Sequence, residues 1–154
     1  MIVCSDVFFD RLEKGDISAI EKKHYMICQI AQAAMGDIPI FYHAQPQGAT
    51  APAVFVRIAK MQYYKRLSYE TECRLIFEVR YLAKNAYDDA ESESAMEKLL
   101  DAFSFDRTDK GTVFAERTDK GALVKVASLL RWKTENADDN GELMRLLEMT
   151  ETDN

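Results

Sequence analysis

Residues Tyr69 to Lys84 carry the strictest pattern in the chain. Tyr69, Thr71, Cys73, Leu75, Phe77, Val79 and Tyr81 alternate with Glu70, Glu72, Arg74, Ile76, Glu78 and Arg80. A period of two sustained this long places one set on a core and the other toward water, the mark of a half-buried antiparallel strand. The segment before it, Val54 to about Gln62, reads as a second long strand. Between them lies Tyr63-Tyr64-Lys65-Arg66-Leu67-Ser68, which has no Gly or Pro to tighten it. The pair therefore predicts a long hairpin with an extended tip.

The remaining segments supply two helices and three further strands. Between Gly15 and Gly36, Ile20, Ile27, Cys28, Ala31 and Met35 recur at helical spacing; Asp16 can cap the start, Ser18 and Glu21 have capping-box spacing, and Gly36 can end the helix. Ile38-Pro-Ile-Phe-Tyr42 is short and β-rich with its proline near the start, which predicts an edge strand. His43 to Pro52 reads as a loop. Asp88 and Asp89 open a second helix, with Ala95, Met96, Leu99, Leu100 and Phe103 as its apolar stripe. Thr112 to Arg117 and Ala122 to Trp132 form a closing hairpin around Thr118-Asp119-Lys120-Gly121, with Gly121 at a left-handed turn position. The segment Arg107-Thr-Asp-Lys-Gly111 is repeated as Arg117-Thr-Asp-Lys-Gly121, two similar turns leading into strands rather than a solenoid.

These elements define an α+β fold. The expected sheet is mixed or antiparallel, with about five strands in the order α-β-β-β-α-β-β and two helices on one face. Residues 1–15 read as an N-terminal extension, 16–133 as one domain, and 134–154 as an acidic C-terminal tail, partly disordered or docking as a short helix. Within that tail Leu143, Met144, Leu146, Leu147 and Met149 can form one or two turns with an apolar side. A chain of 154 residues with 47% hydrophobic residues and few Gly or Pro is a single globular domain. At that length it buries roughly 68–70% of its unfolded surface, enough to fold without metals or disulfides.

Charge and cysteine content narrow the function. A net charge of −6 disfavours a sequence-specific nucleic-acid binder. Cys4, Cys28 and Cys73 are odd in number and widely spaced, which points to a reducing cytoplasm rather than a disulfide framework. The N-terminus lacks a basic region ahead of its apolar patch, and no stretch approaches membrane-spanning length.

The residues of chemistry are sparse. The two histidines, His24 and His43, stand without a nucleophile signature such as GxSxG, so a hydrolase built around His43 is the weakest reading. Asp88, Asp89, Glu91 and Glu93 lack the order of a calcium loop, and no glycine-rich phosphate loop occurs. No catalytic, metal or cofactor site is expected. Interface residues are the better reading. The hairpin tip groups Tyr63, Tyr64, Lys65, Arg66 and Leu67, whose aromatic and arginine types are enriched where proteins meet. The edge strand adds Ile38 and Phe41 beside unpaired backbone groups, and the tail adds Leu143, Leu146 and Leu147.

The order of segments resembles the phage tail terminator, or tail completion, family, in particular its branch in phages and prophages of Gram-positive bacteria. The resemblance rests on an amphipathic helix followed by Ile38-Pro-Ile-Phe-Tyr42, a polar Gln47-Gly48, then Pro52 with Val54-Phe55-Val56, and then Cys73-Arg-Leu-Ile-Phe-Glu-Val-Arg-Tyr81. It covers about Asp16 to Lys133. Two places depart from the family pattern: Met1 to Gly15 is additional, and the turn before the last strand is Gly121-Ala122-Leu123. The resemblance implies a non-enzymatic virion protein that assembles in the host cytoplasm into a hexameric ring. Such a ring sits on the head-proximal end of the tail tube, with the tube protein and a head-neck connector as partners. Another neck or connector protein, or a small ligand-binding α+β module, is the alternative that the same strand pattern allows.

Overall fold

A computed structural model of the protein describes residues 1–43, 49–67, 70–104, 113–133 and 148–151. Its elements run β1 (Ile2–Val3), α1 (Asp6–Glu13), α2 (Ala19–Met35), β2 (Ile40–Phe41), β3 (Ala53–Leu67), β4 (Glu70–Leu82), α3 (Asp89–Ser104), β5 (Val113–Thr118), β6 (Gly121–Lys133) and β7 (Glu148–Glu151). Six strands form one mixed sheet in the order β1-β2-β3-β4-β6-β5, and β7 pairs with β6. The α+β class expected from the sequence is the class observed.

The local signals explain the helices. In α2 the Ser18 hydroxyl accepts from the Glu21 N–H while the Glu21 carboxylate accepts from the Ser18 N–H, so both halves of the capping box form. Gly36, at φ 65°, ends that helix. Asp88 takes the Ala90 N–H and opens α3. The expected stripes face inward: Ile27, Cys28 and Ala31 of α2 and Ala95, Leu99 and Phe103 of α3 are buried on the sheet.

In β4 the alternation falls in the expected register. Cys73, Leu75, Phe77, Val79 and Tyr81 lie in the core under the helices. β3 contributes Val54 and Val56 to that core, and β6 contributes Val124, Val126, Leu130 and Trp132. At the turn into β6, Gly121 pairs with Thr118 and Leu82. A Cβ there would collide with the Tyr81 carbonyl oxygen and lie 3.0 Å from the Ala83 nitrogen. This glycine is required by a close backbone approach rather than by a left-handed turn.

Four expectations need correction. Residues 1–15 do not stand outside the sheet: they form β1 and α1, and the Phe8 ring stacks on Tyr42 at 4.2 Å. Ser5 caps α1, and Arg11 pairs with Glu21 at 2.5 Å, tying the first helix to the second. Secondly, the segment Ile38 to Tyr42 is not an edge strand, because β1 covers β2 in parallel on one side and β3 does so on the other. Ile40 and Tyr42 donate their N–H groups to the Met1 and Val3 carbonyls. Thirdly, the hairpin is paired almost to its end, with Tyr63, Tyr64 and Lys65 opposite Cys73, Glu72 and Thr71. Lastly, in the C-terminal tail Glu148–Glu151 pairs with β6 as a strand, so Met149 is not in a helical turn; the rest of the expected turns, Leu143 to Leu147, lies outside the described residues.

Candidate functional site

Among the described residues no helix lies over the second face of the sheet, and the ladder register defines what it carries. Rows of paired residues cross it: Phe41, Phe55, Arg80, Leu123 and Glu116 in one, and Arg57, Glu78, Lys125 and Phe114 in the next. Further along come Lys60 with Ile76 and Ala127, then Gln62 with Arg74 and Leu129, then Tyr64 with Glu72 and Arg131, and finally Glu70 with Lys133. Alternation along each strand keeps these side chains away from the core.

Ion pairs organise this face. The Arg57 guanidinium meets the Glu78 carboxylate at 2.5 Å, with its Nε donating at 2.6 Å. Arg131 donates to Glu72 at 3.0 Å, and Arg74 approaches the same carboxylate at 3.7 Å. Glu72 and Glu78 are thereby buried under their partners although they belong to the polar face. Cations still outnumber anions. Through the Glu72 row there are six cations (Arg57, Lys60, Arg74, Arg80, Lys125 and Arg131) against three carboxylates (Glu72, Glu78 and Glu116), and the last row adds Lys133 between Glu70 and Glu148. On a chain of net charge −6, a face with a surplus of two positive charges leaves −8 on the remainder. Phe114 stands half exposed beside Lys125, whose ammonium lies 5.8 Å from the ring centre.

The proposed interface residues fall in two separated places. Tyr63, Tyr64 and Lys65 are exposed on the outer half of β3. Tyr63 packs edge-on against Trp132 at 5.7 Å, and Arg74 lies 5.4 Å from the Tyr64 ring centre, so both aromatics are held by the sheet rather than extended beyond it. Tyr63 nonetheless keeps 52% of its surface open. Arg66 and Leu67 belong to the same strand. Ile38 and Phe41 lie near the other end of β3, about 25 Å away at strand spacing. Ile38 is partly buried against the core, and Phe41 stacks on Phe55 at 5.0 Å. Leu143, Leu146 and Leu147 lie outside the described residues, as do Gln47, Gly48 and the first copy of the repeat. In the second copy Arg117 reaches across to Asp89 at 2.7 Å and donates to the Gly121 carbonyl.

His24, Cys28 and Cys73 are packing groups, whereas His43 is exposed. His24 is buried, stacked on Tyr42 at 3.8 Å, with Nε2–H donating to the Val56 carbonyl at 2.9 Å. Burial holds its pKa down at about 4, so the ring is neutral at pH 7. Cys28 and Cys73 are core residues whose thiols burial pushes up, to about 12 and about 11. Among the described residues, no group of His, Cys, Asp and Glu is arranged to hold a metal, and no helix is long and apolar enough to cross a membrane.

Sequence reasoning missed the basic character of the helix-free face, because charge was summed over the chain rather than by strand face. The signal was present in the alternation, which sets Arg74 and Arg80 on the same side as Glu72 and Glu78. It also missed β1, whose two residues are too few to show a period. Ser5 ahead of Asp6, Phe8 and Leu12 was the available helix-start signal.

Comparison with known proteins gives one result. The family profile described as phage tail terminator protein matches residues 25–120, from within α2 to the β5–β6 turn. No curated protein and no solved structure matches the chain. The matched span holds the second half of α2, the whole β3–β4 hairpin and α3, so on more than half its length this chain belongs to the phage tail terminator protein family.

Proposed function

We propose that the chain is a structural protein of the tail that closes the tail tube at its head-proximal end and presents a surface to the head-neck complex. The observation that carries this reading is the family match over residues 25–120. The architecture suits the role. A sheet whose described helices all pack on one face offers two unlike surfaces, and unlike surfaces meeting head to tail around an axis close into a ring. Six copies is the stoichiometry the family resemblance implies. The partners are the tail tube protein below and a head-neck connector above, met after assembly in the bacterial cytoplasm. The outer half of the β3–β4 hairpin, with Tyr63, Tyr64 and Lys65 exposed, is the proposed contact with the tube or a neighbouring copy.

Deleting the gene from its phage or prophage tests the reading. The expected result is tubes of uncontrolled length, or tails that fail to join heads, both restored by supplying the chain in trans. Tails of normal length that join heads normally would end it.

A further inference from the structure

The helix-free sheet face has an acidic counterpart on the opposite side of the same molecule. In α3, Asp89, Glu93, Glu97 and Asp101 follow one another at four-residue spacing, and all four are exposed. Residues four apart share one side of a helix, where like charges repel and weaken it. Arg117 neutralises Asp89; only Lys98 adds a positive charge within the helix. The two surfaces also match in length. Glu93 to Asp101 spans about 12 Å of helix. Lys60, level with Ile76 of β4, and Arg80 lie about 13 Å apart along the strand.

We infer that the helix-free face of the sheet, centred on Lys60, Arg80 and Lys125, is a docking surface for the acidic α3 stripe of a second copy of this chain. This deepens the terminator reading by naming which surfaces of neighbouring copies meet, and it rests on that reading only for the ring that results. Charge complementarity selects the occupant. Glu72 and Glu78 already engage Arg57, Arg74 and Arg131, and Lys133 stands between Glu70 and Glu148, so among the described residues the cations left for a partner are Lys60, Arg80 and Lys125. Carboxylates interleaved among cations repel a phosphate backbone, which disfavours duplex DNA. A helix side rich in carboxylates but carrying one lysine fits the mixed face better. Because the two surfaces lie on opposite sides of one molecule, each copy donates one and accepts the other, which is a head-to-tail arrangement.

Two charge-reversed variants test the pairing from both sides: Lys60→Glu with Lys125→Glu on the sheet, and Glu93→Lys with Glu97→Lys on α3. All are checked for folding by thermal melting. Heavy- and light-isotope preparations are mixed at low salt, and zero-length carbodiimide coupling joins lysines to carboxylates across copies. Wild-type protein is expected to give intermolecular links from Lys60 or Lys125 to Glu93 or Glu97. Repulsion in either variant alone should cut all intermolecular coupling, including at the remaining lysines, by about tenfold or more. An equimolar mixture of the two variants should restore coupling, since each reversed surface then meets a reversed partner. Should one variant fail to fold, the other still decides the matter alone. The pairing is overturned by wild-type protein with no intermolecular links or with links only elsewhere, by folded variants that couple as wild type does, or by a mixture without rescue. It is equally overturned if wild-type protein retains duplex DNA and the sheet variant loses it. A deletion phage with normal tails would remove the terminator role and leave these cross-links unaffected, so the two failures are distinguishable.

Discussion

Phe77 lies fully buried in β4 between Ile58 of β3 and Val126 of β6. Phe77→Ala should cost about 3–5 kcal/mol in urea melts, the usual penalty for emptying a core aromatic site. This burial was legible in the alternation alone. The behaviour of its neighbour Glu78 was not, because a period of two assigns a face and not a partner. Glu78 is pinned under Arg57, so Glu78→Ala should cost about 1 kcal/mol, more than a solvated carboxylate would. His24 shows the same limit: its place on α2 is visible in sequence, but its bond to Val56, 32 residues away, is not. With the folded pKa near 4 and the unfolded value at 6.5, the unfolded chain binds a proton between those values that the folded one refuses. Stability is therefore unaffected by this group above pH 6.5 and falls as pH drops toward 4, by about 3 kcal/mol when complete. Tyr42, His43 and Glu21 are the titratable groups around the ring. Urea melts from pH 7 down to 4 on wild type and His24→Gln should show the steeper decline in wild type; parallel curves would show that the ring is not held neutral.

At the scale of elements, turns and caps were readable while ladder ends were not. Ser18 with Glu21 announced the start of α2, and Ser18→Ala should lower stability by about 1 kcal/mol, measured by thermal or urea unfolding. The connection from β4 to α3 is held by one carboxylate: Glu91 accepts from the Tyr81 hydroxyl at 2.6 Å and from the Lys84 and Asn85 N–H groups. Nothing local in the sequence marks Glu91 as different from Glu93, since the distinction arises only when the chain turns back. Glu91→Ala should remove three hydrogen bonds, that of the part-buried Tyr81 hydroxyl among them, and cost about 2 kcal/mol, whereas Glu93→Ala should be nearly neutral in the same melts. The long hairpin illustrates the converse error. Without Gly or Pro, its end reads as a loose tip, yet β6 runs beside β4 as far as the Lys133–Glu70 pair, so a third strand stiffens the outer half. The apparent edge at Ile38 to Tyr42 failed for a related reason, because the two-residue β1 that covers it comes from 38 residues earlier in the chain.

For the molecule as a whole, net charge proved a coarser guide than its distribution. A total of −6 suggested uniform repulsion of anions, whereas the sheet separates a face with surplus cations from acidic α3 on the other side. That separation follows from alternation in the strands and four-residue spacing in the helix, both visible in sequence once the fold assigns them to sides. A family of tail structural proteins gives the separation a use, since subunits with opposite surfaces assemble directionally. Cryo-electron microscopy of finished tails decides where this chain sits. The expected result is a ring of this chain at the head-proximal end of the tube, with rotational symmetry matching the tube beneath it. Density for the chain at the distal tip, along the tube, or nowhere in the finished tail would contradict it.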